Sequence, residues 1–189
     1  MDDDGVKART KALVRTILSN AEAFPWRMQD VGLLGLWLDD RREHRLHVWA
    51  PADAEDPPIH DHPFDFTSTV VVGELVNTRY VERASGGEYV RERYVPGNEH
   101  HRRVDRIRLE GTATTLGEGE CYGQLAPELH DSRQAPGTVT IIRFAFTHAS
   151  DAELTVCRRP DVPSVSVQAR DARPDEVERI TAAALAHFA

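Results

Sequence analysis

The chain has 189 residues, a length that one domain with a single sizeable core can fill. Its 40 % apolar and 29 % charged content is globular rather than disordered, and a net charge of −8 argues against a surface built to meet nucleic-acid phosphates. Two cysteines exclude a disulfide framework or a four-cysteine zinc site, and apolar runs such as Val70-Val71-Val72 are far short of the ~20 residues of a membrane span.

Read along the chain, Val6 to Phe24 carries Leu13, Ile17, Leu18 and Ala21 at helical spacing, with Val14 beside them, and Pro25 stops the helix. The acidic Met-Asp-Asp-Asp start lacks the basic character of a signal peptide, so a cytoplasmic protein with no membrane and no nucleic-acid partner is expected. From Leu33 onward the period changes to short runs of β-branched and aromatic residues. The runs are Leu33–Leu38, Arg45–Trp49, Phe66–Val72, Glu74–Val81, Glu88–Val95, Val104–Leu109, Thr138–Phe146 and Leu154–Cys157. Breaks fall at Asp39-Asp40, Ala50-Pro51, Gly73, Ser85-Gly86-Gly87, Pro96-Gly97-Asn98 and Ala135-Pro136-Gly137. Eight to ten strands without intervening helices indicate an all-β sandwich or barrel. Pro174-Asp175-Glu176 then starts a second helix, with Val177, Ile180, Ala184 and Leu185 on its apolar face. One domain spans 1–189, with a helical extension over 1–30, a β-barrel over 31–160 and a C-terminal helix over 174–188.

Chemistry concentrates in the histidines. After the polar, proline-rich loop of 51–58 comes Ile59-His60-Asp61-His62-Pro63-Phe64. On a strand, alternate side chains share a face, so His60 and His62 project together and can converge on one metal ion, while Asp61 points away and can brace a neighbouring group. Some fifty residues on, Gly117-Glu118-Gly119-Glu120-Cys121-Tyr122-Gly123-Gln124-Leu125-Ala126-Pro127-Glu128-Leu129-His130 leads into the β run from Thr138. Tyr122 and Gln124 share parity and precede His130, so both are candidates for the barrel interior. Arg79, Tyr80 and Arg143 lie on expected strands and could offer a cation or a phenol to a carboxylated ligand. His47 falls on a strand face that could be interior. His44, the His100-His101 pair, His148 and His187 read as surface groups, and Cys121 and Cys157 as small hydrophobes.

These two segments, in this order, resemble the paired motifs of the cupin family, small β-barrels on a jelly-roll plan. His60, His62 and Gly73 match the first motif, and Gly119, Pro127 and His130 match the second, so the likeness covers roughly residues 45–157. The resemblance implies that His60, His62 and His130 are metal ligands. The family's usual glutamate would fall on Phe66 or Thr67, and Asp65 is one position short, which leaves three histidines and no carboxylate. A three-histidine set is similar to the thiol dioxygenase branch, the cysteine-dioxygenase-like enzymes, and implies Fe(II) as cofactor with O2 and a small thiol as partners. Three neutral imidazoles leave such an ion doubly positive, so a thiolate can bind it without excess negative charge.

The chain departs from that branch elsewhere. Its Ser-x-His-x-Tyr positions become Thr140, Ile142 and Phe144, of which only Thr140 keeps a hydroxyl. The strand stretch Gly35-Leu36-Trp37, where the branch carries its substrate-carboxylate arginine, contains no arginine. The functional expectation is therefore a mononuclear non-haem iron oxygenase of a small, cysteine-like thiol in specialised metabolism, acting as a monomer or homodimer. Tyr122 is its candidate catalytic group, and Gln124, Arg143, Arg79, Tyr80 and Thr140 its candidate substrate-binding groups. The alternatives are a zinc, manganese or nickel cupin isomerase, lyase or hydrolase, and a non-catalytic small-molecule-binding cupin.

Overall fold

Alternating β-branched residues favour extended chain, and turn residues bound each run. The computed structural model describes residues 3–29, 32–50, 57–95, 98–145, 153–163 and 169–188. Its elements begin with α1 (Asp3–Ser19), followed by β1 (Arg27–Gln29), β2 (Leu33–Trp37), β3 (His44–Trp49), β4 (Ile59–His60) and β5 (Asp65–Val72). Next come β6 (Leu75–Val95), β7 (Asn98–Leu116), β8 (Cys121–Gln124), β9 (Leu129–Gln134), β10 (Val139–Ala145), β11 (Leu154–Arg158), β12 (Ala169–Asp171) and α2 (Pro174–Leu185).

The pairing is nested. β6 pairs β7, β5 pairs β8, β4 pairs β9 and β3 pairs β10, all antiparallel, so the middle of the chain is one long double-stranded ribbon. The ribbon rolls up because β10 also pairs β5 and β9 also pairs β6. Two sheets result, β12-β1-β2-β3-β10-β5-β8 and β11-β4-β9-β6-β7, which is the jelly-roll plan with helices added at both ends of the chain. Rolling removes most free edges from a ribbon that would otherwise expose them.

The middle strands of the first sheet, β2, β3, β10 and β5, carry buried residues on both faces. The outer face of this sheet carries Leu34, Leu36, Leu46, Val48 and Val139 against Val14, Ile17 and Leu18 of α1 and Val177, Ile180 and Ala184 of α2. Leu13, expected on the buried stripe of α1, is exposed; the stripe that packs runs Val14, Ile17, Leu18, Ala21. A register shift between Val139 and Thr140 sends Val70 inward and Val71 and Val72 outward, so all three valines are buried. Between the sheets lie Leu33, Trp49, Val70, Leu75 and Leu116. A third cluster, Ile59, Ile107, Leu109 and Cys157, covers the far face of the second sheet.

Ser85-Gly86-Gly87 does not end a strand. β6 runs through it, and Glu82 and Gly87 both oppose Leu109, so the intervening residues form a bulge rather than a turn. A Cβ on Gly86 would overlap the Leu109 carbonyl, which is why the bulge needs glycine there. β1, β8, β9 and β12 were not among the expected strands. His148, Phe146, Pro96, Gly97 and most of the expected 51–58 loop lie outside the described residues. Among the described residues, no helix is long and apolar enough to cross a membrane.

Candidate metal centre

The nested pairing of β4 with β9 sets His60 directly opposite His130, on the face of the second sheet that looks toward the first. β4 ends at His60, and Asp61, the next residue, is held twice by β11. Its N–H donates to the Thr155 carbonyl at 3.1 Å, and its carboxylate accepts the Thr155 N–H at 2.7 Å. The His62 N–H donates to the Ala126 carbonyl at 3.2 Å, fixing this loop against the segment before His130. Asp61 thus has the bracing role expected of it, and burial pushes its carboxyl up to about 6.

The three imidazoles converge. Ring centroids are 4.7 Å apart for His60 and His62, 4.9 Å for His60 and His130, and 5.1 Å for His62 and His130. One ligand atom from each lies within 4.8 Å of the others. His62 Nε2 and His130 Nε2 are 2.9 Å apart. Two nitrogens each ~2.1 Å from one ion and at right angles would be about 3.0 Å apart, so the pair already has the spacing of neighbouring ligands.

Protonation follows from the outer hydrogen bonds. His130 Nδ1–H donates to Asn77 Oδ1 at 2.8 Å, and His60 Nδ1–H donates to the Pro58 carbonyl at 2.9 Å. Both acceptors lack a proton, so each ring carries its hydrogen on Nδ1 and keeps the Nε2 lone pair. Burial holds His62 and His130 well below the usual histidine range, with neighbouring imidazoles and, for His130, Arg79 adding to it. His60 is lowered too, by burial. Three neutral, converging imidazoles, two of them braced from outside by Pro58 and Asn77, are the donor set that borderline divalent metals take, so the residues present fit a metal ion.

No carboxylate among the described residues joins the cluster. Asp65 Oδ1 accepts the Ala126 N–H at 2.8 Å instead. Cys121 also stays out: it is exposed and faces a cleft of about 370 Å³ against Lys7, Thr10 and Lys11 of α1, on the other side of the first sheet.

A cavity of about 60 Å³ opens beside the histidines, walled by Leu33, Trp49, Phe66, Ile142 and Tyr122. Tyr122 reaches it, with its phenol raised by burial and partly lowered again by the nearby Ser132 and Ser68 hydroxyls. The other expected substrate groups take other positions. Thr140 is fully buried and accepts the Trp49 indole N–H at 3.3 Å, which holds the indole in the wall. Gln124 is buried and its Nε2 donates to the Glu128 carbonyl at 2.9 Å, bracing the loop before His130. Arg79, opposite His130 in register, is exposed and donates to the Gly123 carbonyl at the rim. Arg143 is exposed on β10. Tyr80 has the opposite parity and faces away, donating to Asp131 at 2.7 Å and packing with the third apolar cluster. Asn77 was not foreseen. Its signal was parity: it sits between Leu75 and Arg79 at an inward position where an apolar residue would be expected.

No protein-family model and no curated protein matches the chain. Among solved structures it is similar to Drosophila melanogaster CENP-C bound to CAL1, with 13 % identity over 84 % of this chain and 99 % of that one and a TM-score of 0.30. It is also similar to a cupin-like protein from Thermotoga maritima, with 12 % identity over 82 % of this chain and 87 % of that one and a TM-score of 0.28. Likenesses this distant carry no weight for function, and the jelly roll and the histidine cluster stand on the chain's own geometry.

Proposed function

We propose that the chain is a mononuclear metal-dependent cupin in which His60, His62 and His130 hold Fe(II), and that it oxygenates a small thiol. The observation that carries this reading is the convergence of three imidazoles that no carboxylate among the described residues joins. Fe(II) bound there would supply the one-electron chemistry that O2 requires to react with a closed-shell substrate.

The chain's own residues prepare that chemistry. Neutral histidines add no negative charge, so the full positive charge of the ion remains to attract a thiolate. Pro58 and Asn77 fix the tautomers and aim the two Nε2 lone pairs. Leu33, Trp49, Phe66 and Ile142 keep bulk water from the reacting atoms, which strengthens every charge interaction inside. Tyr122, kept protonated by burial, can donate a hydrogen bond to an anionic product. The overall change is R–S⁻ plus O2 to R–SO2⁻, in which both oxygen atoms enter the sulfinate and no external reductant is consumed. The small cavity favours a substrate that enters with its sulfur end alone.

Anaerobically purified protein is loaded with Fe(II), and bound iron and O2 uptake are measured against a panel of small thiols. About one iron per chain is expected in the wild type and a small fraction of that in His60→Ala, His62→Ala and His130→Ala, with O2 consumed only in the presence of a thiol. Full iron occupancy in the His130 variant would exclude this ligand set. Turnover that persists without O2 would assign the site to isomerase, lyase or hydrolase chemistry instead.

A further inference from the structure

The wall facing the three histidines carries a fourth. His47 lies on β3 with its side chain in the same cavity, and the residue is 6 % exposed. Neither ring nitrogen has a hydrogen-bond partner among the described residues. Buried polar atoms are nearly always paired, because an unpaired one forfeits its hydration without return. His47 therefore stands as a group whose partner is to be supplied from within the cavity. Its nearest ring neighbour, Trp49, offers an edge contact at 6.2 Å between centroids and no acceptor.

The surroundings favour an anion. Arg45, two residues before His47 and on the same strand face, lays its guanidinium across β2, where a Cβ on Gly35 would overlap it. It lies 5.4 Å from the Trp37 ring centroid. With the Gln29 amide oriented oxygen toward it, Gln29 accepts from both terminal nitrogens, at 2.8 and 3.1 Å. Arg45 Nε is buried without a partner, and no carboxylate among the described residues pairs with this cation. Burial first, and the neighbouring Arg45 guanidinium second, hold His47 well below the usual histidine range, and among the described residues that guanidinium is answered by an amide and an indole rather than by a carboxylate. A neutral imidazole then offers one N–H to an acceptor atom.

We propose that His47 is the ligand-binding residue of this cavity: it donates a hydrogen bond, from the wall opposite the metal centre, to the distal end of a small anion whose other end the metal holds. The ligand class is set by the volume of about 60 Å³, room for an anion or anionic head group of a few atoms. The inference rests on the metal reading above and adds to it the residue that recognises what the metal binds. His47 is not among the convergent ligand atoms, so its removal should leave the metal in place.

The test uses the full chain loaded with Co(II) and azide as the probe anion. Wild type and His47→Leu should each bind one Co(II) per chain. Azide titration followed in the visible bands of the ion should give a dissociation constant about tenfold or more higher for His47→Leu, with part of the loss recovered in His47→Gln, which keeps a donor. Equal azide affinity in wild type and His47→Leu overturns the inference and leaves the metal reading intact. So does loss of cobalt from His47→Leu, which would make His47 a metal or folding residue. Failure of the wild type to bind cobalt overturns the metal reading and this inference with it, and cobalt binding without azide binding overturns the inference alone. A measurement without substitution guards against a misfolded variant: in Zn(II)-loaded protein with ¹⁵N-labelled histidine, azide should shift the His47 ring nitrogens, and unmoved resonances refute the contact.

Discussion

Asn77 gives the sharpest test of how the metal centre is held. Its side chain is 3 % exposed, and its Oδ1 accepts the His130 Nδ1–H at 2.8 Å. Replacing it with leucine, close in size, removes the acceptor and leaves two outcomes for His130. Either the Nδ1–H stays buried and unpaired, at a cost of about 1–3 kcal/mol, or the proton moves to Nε2 and the lone pair aimed at the metal is lost. Both lower metal affinity, and substitution of such outer partners typically costs about 10–100-fold. Asn77→Asp separates orientation from mere packing, since it keeps an acceptor of the same shape and adds a charge that makes the imidazole more basic. Zn(II) competition against a chromophoric chelator at fixed pH should show Asn77→Leu weaker by that factor and Asn77→Asp at least as tight as wild type. Urea denaturation of the metal-free aspartate variant should at the same time show reduced stability, because its carboxylate is buried beside a neutral ring. An Asn77→Leu affinity within about twofold of wild type would refute the claim that this bond fixes the tautomer.

Two further predictions address the scaffold. Leu34→Ala, at a fully buried position between the first sheet and the helices, should lower the urea-unfolding free energy by about 2–5 kcal/mol without changing metal stoichiometry; a loss under about 1 kcal/mol would mean that the helices do not seal that face. At the start of α2, Arg170 and the Arg173 N–H hold the Glu176 carboxyl down to about 2, against an ordinary 4.5. A lowered folded-state value stabilises the fold fully above 4.5 and loses that contribution as pH falls toward 2. The melting temperature of Glu176→Gln should therefore lie below wild type at pH 7, with the gap closing between pH 4.5 and 2, and a gap that does not change with pH would remove the ion pair from the account.

Which parts of this structure were legible in the chain follows from what each strand buries. Strands with apolar inward or outward faces, such as Leu33–Trp37, His44–Trp49 and Asp65–Val72, announce themselves by β-branched and aromatic content. So do both helices, apart from the exchange of Leu13 for Val14, two neighbours that helical spacing alone separates poorly. The bulge at Ser85-Gly86-Gly87 uses the same residues as a turn, and only the Leu109 backbone across the ribbon tells the two apart. β8 and β9 were hidden for a different reason. Their inward positions are Tyr122 and Gln124, and His130 and Ser132, so the apolar period that marks a strand is missing where polar groups occupy the interior face. Asn77 and His47 follow the same rule, at inward parity on strands whose neighbouring inward residues are Leu75 and Trp49. The cavity could not have been built otherwise: a jelly roll buries whatever faces inward, and a centre of lone pairs and hydrogen-bond donors must occupy positions that core residues would fill. The interruptions in the apolar pattern are thus where the sequence spends stability on a site, and four of them, at His47, Asn77, Tyr122 and His130, converge on one end of the barrel.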